Sequence, residues 1–289
     1  MYPYPVLSLG DVHVYLYGIL IALGILACFL LLFELSKRTG ISDKYVDFTF
    51  YNAIVAIVLG FVGAALFQAV FNYIDDIKEG VPNPTFSLDG GITAIGGLLS
   101  GALVFIIGCI IFRKKFPFAL TKIVTVAPMC MLIAHGFGRL GCLMAGCCHG
   151  AYLGSEYVFG GIRMEGSLGW GYYVPVQLYE ALFLLSLCAI LCLLLLKKNF
   201  KYTLPVYMAT YGLWRFLIEF ARADDRGSFI GPLSPSQTLS LLLIIGSVGV
   251  YFLLKHWFAK QKEAEGKVAL EAAVEPQLAV ENSNGEIEE

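Results

Sequence analysis

The sequence predicts an all-α integral membrane protein of about seven transmembrane helices. Three observations carry that expectation: composition, the recurrence of long apolar windows, and the placement of basic residues. Hydrophobic residues make up 58% of the 289 and charged residues 15%. The mean hydropathy is +0.74, and an average soluble domain is only roughly 45–50% apolar, so a water-soluble fold is excluded. A bilayer core about 30 Å thick requires about 20 apolar residues at 1.5 Å rise each. Windows of that kind fall near residues 13–35, 46–72, 91–112, 121–142, 175–196, 203–221 and 236–258. A net charge of −2 leaves no bulk electrostatic case for a nucleic-acid partner.

The basic residues orient these windows. Of the 20 Lys and Arg, 14 follow the first, third, fifth and seventh windows: Lys37, Arg38 and Lys44; Arg113, Lys114, Lys115 and Lys122; Lys197, Lys198 and Lys201; Lys255, Lys260, Lys262 and Lys267. Lys78, Arg163, Arg222 and Arg226 fall on the other side, and Arg139 and Arg215 lie within or at the edge of windows. Because cytoplasmic loops carry the excess of Lys and Arg, the N-terminus is expected outside and the C-terminus in the cytoplasm, which requires an odd number of spans. The opening MYPYPVLSLGDVHVY has no basic region and no small-residue cleavage site, so the first window is read as a retained span.

Taken in order, the first span carries Tyr17 and Gly18 near its outer third, where an aromatic belt also places tyrosine. The second and third carry Gly60 and Gly63, then Gly96, Gly97 and Gly101, small residues that let helices approach closely in lipid. Residues 73–90 and 143–174 are the longer outer connections, and the second is long enough to form a small head. Residues 1–258 thus read as one transmembrane domain. Residues 259–289 lose all aromatics and gain eight Glu, and read as a disordered acidic cytoplasmic tail.

Arginine at mid-bilayer costs on the order of 2.5–3.5 kcal/mol, so Arg139 and Arg215 demand compensation. In YGLWRFLIEFAR, Glu219 lies four residues after Arg215 and can pair with it on one helix face, and Tyr211 extends the same stripe. Arg139 sits in HGFGRLGCLMAGCCHG, where Gly136, Gly138 and Gly141 clear space around a fork suited to phosphate. His135 shares its face. Gln177, Tyr179 and Glu180 open the fifth span after Pro175, and the dipole of a helix N-terminus alone favours a glutamate there.

Of 8 cysteines, Cys28, Cys109, Cys130, Cys188 and Cys192 fall in spans as small apolar residues. Cys142, Cys147 and Cys148 follow Arg139 and end at His149. The cluster admits a packing role, a reactive thiol pair, or a disulfide facing an oxidising compartment. Its C-x4-C-C-H spacing matches no structural zinc pattern built on CxxC pairs, so no metal or other cofactor is expected. Vicinal cysteines bridge under strain, so any disulfide would join Cys142 to one of the other two.

These motifs resemble, in order over residues 13–258, the bacterial prolipoprotein diacylglyceryl transferase family. Gly138, Arg139 and Gly141 match its G-R-x-G-N signature and Gly150 its closing glycine, while Gly90, Gly91, Gly96 and Gly97 resemble the stretch before its third span. Gln177, Leu178, Tyr179 and Glu180 match its Q-L-Y-E. Tyr211, Arg215, Phe216, Glu219, Phe220 and Arg222 match its sixth span, and Tyr17 with Gly18 its first.

The departures are Ile95 and Val174 where the family has His, Cys142 and Ala145 where it has Asn, and Cys147 where it has Glu. The resemblance implies transfer of the diacylglyceryl group of phosphatidylglycerol to a lipobox cysteine of prolipoproteins, at the outer face of the bacterial cytoplasmic membrane. It casts Arg139, Arg215, Glu219, His135 and Tyr17 as catalytic, with Gly96, Gly97, Gly138, Gly141, Gln177, Glu180 and Tyr211 as substrate-binding. Arg139 and Arg215 are expected to hold one lipid phosphate. Two other expectations stay open: a same-fold paralogue using Cys142, Cys147, Cys148 and His149 for redox or acyl-carrier chemistry, and a non-enzymatic lipid-binding partner.

Overall fold

A computed structural model of the chain describes residues 4–9, 12–88, 91, 93–166, 168–222 and 233–285. Gly90 and Arg226 lie outside these. The chain divides into two compact units, Met1–Cys147 with Gln177–Asn199, and Cys148–Val176 with Phe200–Glu289.

In the first unit a hairpin of β1 (Pro5–Leu9) and β2 (Val12–Tyr15) precedes α1 (Leu16–Thr39). The first helix thus starts later than residue 13, because Val12–Tyr15 bonds its backbone to β1. α2 (Asp43–Lys78) overruns the window ending at 72, and α3 (Ala94–Ile111) packs along it. Their seam is made of small residues. A Cβ on Gly63 would lie 2.1 Å from Ser100 Oγ and one on Gly60 3.1 Å from Gly97 O, so the two backbones touch where side chains would hold them apart.

The fourth window is divided. Ala119–Ile123 forms the short α4, and α5 (Ala127–Ala145) begins only where Pro128 occupies the first turn, a position at which its missing N–H costs nothing. α1 packs on α5, and α6 (Val176–Lys198) meets α5 where Gly136 leaves only 2.9 Å between an added Cβ and Leu185.

In the second unit, the expected head segment is a three-stranded antiparallel sheet in the order β3 (Tyr152–Gly154), β5 (Gly169–Tyr173), β4 (Ile162–Gly166). Tyr173 is its fully buried centre, its hydroxyl donating to Gly169 O at 2.9 Å. α7 (Thr203–Ile218) ends in a 3-10 turn, Glu219–Ala221, and packs on α8 (Pro235–Gly285). α8 carries helical backbone on into the acidic segment that opens at residue 259. Lys and Glu four apart support this extension, as at Lys267 Nζ and Glu263 Oε1, 2.8 Å apart.

Among the described residues, five helices are long and apolar enough to cross a membrane: α1, α2, α5, α6 and the Pro235–Lys267 part of α8. The apolar stretch of α3, Gly96–Ile111, is shorter. The protein is a multi-pass α-helical membrane protein.

Candidate active site

Each unit contains an arginine held by a glutamate. In the first, Arg139 Nε lies 3.0 Å from Glu180 Oε2, and His135 Nε2 lies 3.8 Å from Glu180 Oε1. Glu180 is fully buried. An ionised carboxylate in such a place is tolerated only when paired, so Glu180 is the counter-ion that lets α5 carry Arg139, beyond what a helix dipole would account for. The guanidinium has five N–H donors in a planar fork, and Glu180 engages it at Nε. Open space lies at Gly138, the neighbouring residue, where a Cβ would meet nothing within 4 Å. Gly141 lets α1 come close, because a Cβ there would stand 3.1 Å from the Tyr17 ring.

Gly146, with φ at 71°, ends α5 in the left-handed region. Cys147 N donates to Cys142 O at 3.1 Å and Gly146 N to Leu143 O at 3.2 Å, the paired bonds of a Schellman cap. Such a cap folds the residue after the glycine back onto the residue five before it. Here both are cysteines, and their sulfurs lie within 4.8 Å of each other. Cys147 is exposed and Cys142 half-buried. The fully buried Gln177 donates Nε2 to Cys147 O at 2.5 Å. Gln177 and Glu180, three apart in α6, therefore grip α5 at its cap and at Arg139.

Gly96 and Gly97 stand in the α2–α3 seam, where an added Cβ would lie 2.5 Å from Phe67 and 3.3 Å from Ala64 respectively.

In the second unit Arg215 Nη2 lies 2.9 Å from Glu219 Oε2, the pairing that four-residue spacing allows. It also donates to Ser236 Oγ at 3.0 Å, and Ser234 Oγ donates to Glu219 Oε1 at 2.9 Å. Arg222 Nε approaches Glu219 Oε2 at 3.9 Å. Ser234 also caps α8: it accepts from Gln237 N at 3.2 Å, while Gln237 Oε1 accepts from Ser234 N at 3.0 Å. Sequence reasoning passed over these α8 residues, although Ser-Pro-Ser-Gln is a legible helix start. Tyr211 stacks on Tyr207 with centroids 5.8 Å apart. His149 lies 4.3 Å, ring to ring, from Tyr173 and contacts Gly150 O through Nδ1 at 2.9 Å. Cys148 precedes it with φ at 61°.

A family model described as prolipoprotein diacylglyceryl transferase matches residues 5–253. The chain belongs to this family. It is 32% identical over 271 residues to the phosphatidylglycerol–prolipoprotein diacylglyceryl transferase of Clostridium tetani, covering 89% of this chain and 99% of that one. Against the enzyme of the same name from Lactobacillus delbrueckii subsp. bulgaricus the identity is 34% over 265 residues, covering 88% and 91%. A transferase 2 of Clostridium perfringens is 30% identical over 255 residues, covering 86% and 94%.

Two of the positions that the resemblance implies to be departures, Cys142 and Cys147, are the residues that the Schellman cap brings together, and Ala145 is the last residue of α5. Val174 is a backbone partner in the second unit, accepting from Gly150 N at 2.8 Å and donating to Ala151 O at 3.0 Å.

Proposed function

We propose that the protein transfers the diacylglyceryl group of phosphatidylglycerol to the thiol of a lipobox cysteine in prolipoproteins, at the outer face of a bacterial cytoplasmic membrane. In this reading all seven apolar windows cross the membrane, the N-terminus lies outside and the C-terminus in the cytoplasm. Family membership supports the activity, and the observation that carries the chemistry is the Arg139–Glu180 pair with open space beside Gly138.

In the transfer, a carbon–sulfur bond forms between the substrate thiolate and the terminal glyceryl carbon. The carbon–oxygen bond to phosphate breaks, and glycerol phosphate leaves with the electron pair. The thiol proton goes to a base, since only the thiolate is nucleophilic. Negative charge grows on the departing phosphate, and a preorganised guanidinium stabilises it most where water is excluded. Glu180 holds Arg139 for that role, and Glu219 with Ser236 holds Arg215. His135, against Glu180, is the base this reading favours.

The test is formation of diacylglyceryl peptide from phosphatidylglycerol and a lipobox peptide by the purified protein. Arg139→Ala is expected to lower kcat/KM by about 100-fold or more, with Arg139→Lys between it and wild type. No product from the wild-type protein, beside an active relative, would sink the proposal.

A second reading rests on the Cys142–Cys147 approach and makes these thiols the working groups. In the same assay Cys142→Ser and Cys147→Ser remain active under the first reading and are inactive under the second.

A further inference from the structure

An open groove of about 830 Å³ lies between the start of α2 and the end of α3, within the first unit. Its floor is a close helix contact. Asn52 donates Nδ2 to Phe105 O at 2.9 Å, and a Cβ on Gly108 would lie 2.1 Å from Asn52 Oδ1, so the helices touch there. Toward the basic loops aromatic rings line it: Phe48 stacks on Phe116 with centroids 4.4 Å apart and meets Phe112 edge-on at 5.8 Å.

The lining is ordered by polarity. Lys44, Lys115 and Asp47 stand at one end, and Val55, Val104, Ile107 and Ile111 continue it as an apolar trough whose outer side chains are exposed. Two cations against one carboxylate leave the mouth positive. Arg113 and Lys114, exposed in the turn after α3, add to that sign. A molecule complementary to this order has an anionic head and long apolar chains, and basic pockets between membrane helices on the side of the basic loops recognise such lipid heads. Neither a soluble anion nor a bare hydrocarbon matches both ends.

We propose that this groove is a binding site for one anionic glycerophospholipid, its phosphate between Lys44 and Lys115 and an acyl chain along Val55, Val104 and Ile107. The site shares no residue with the Arg139 and Arg215 constellations, and the inference does not rest on the transferase reading.

The experiment is native mass spectrometry of the purified full chain, titrated in parallel with dioleoyl phosphatidic acid and dioleoyl phosphatidylcholine. One phosphatidic acid is expected to be retained at concentrations where phosphatidylcholine is not. Lys44→Ala/Lys115→Ala should weaken that retention roughly thirtyfold, as each lysine near a lipid phosphate accounts for about a factor of five. The loss caused by Lys44→Ala/Lys115→Ala should be equally large in an Arg139→Ala background, which separates this site from the proposed catalytic one. Equal retention of the two lipids, unaltered retention by the double variant, no further loss from the double variant in an Arg139→Ala background, or a lipid-free dimer occupying the groove would each overturn the proposal. If the double variant does not purify intact, Ile107→Trp decides: filling the trough should abolish retention, and undiminished binding would refute the site.

Discussion

Glu180 shows how a residue's surroundings change its meaning. In the sequence it is a carboxylate near a helix start, for which a dipole suffices. In the fold it is fully buried between His135 and Arg139, so removing it strands a cation without its partner. Glu180→Ala is expected to destabilise the protein by about 3–5 kcal/mol, read as a lower melting temperature in detergent, and Glu180→Gln by less. The Arg215–Glu219 pair was legible from spacing alone, because residues four apart on a helix are neighbours whatever surrounds them. The serines that complete it were not, since Ser234 and Ser236 reach the pair across a packing contact between α7 and α8.

At the scale of elements, glycine decides where helices meet. The α2–α3 seam requires Gly60 and Gly63, and Ser100 fills the space facing Gly63 while donating to Gly96 O at 2.6 Å. Gly63→Leu is therefore expected to push α3 off α2. The measurement is a lowered melting temperature with raised protease sensitivity in the 79–93 connection, and an unchanged melting temperature would show that the seam yields cheaply. Among the described residues each of the seven apolar windows contains helix, but only five of these helices are long and apolar enough to cross a membrane; in lipid a helix satisfies its own backbone. Their ends moved where local chemistry intervened: strand pairing at Val12–Tyr15, Pro128 at the start of α5, and the Gly146 cap at its finish. The cap also explains why Cys142 and Cys147, five apart, come together although an uninterrupted helix does not align such positions.

For the whole molecule, the topology proposed above makes a prediction that needs no substrate. With the N-terminus outside, Cys147 faces the exterior and is exposed at the α5 cap. A membrane-impermeant maleimide should label Cys147 in intact cells of a variant whose other cysteines are replaced by serine. Labelling only after lysis would reverse the orientation. By itself, the sequence determined that this chain is a helical membrane protein of its family, with the order of its helices and the spacing-encoded Arg215–Glu219 pair, because hydropathy and helical periodicity are local properties. Only the tertiary structure decided that Glu180 is the partner of Arg139, that Gln177 clasps the α5 cap, and that Lys44 and Lys115 share one groove. Those contacts join residues 41, 30 and 71 positions apart, and no local pattern specifies which distant helix face a side chain will meet.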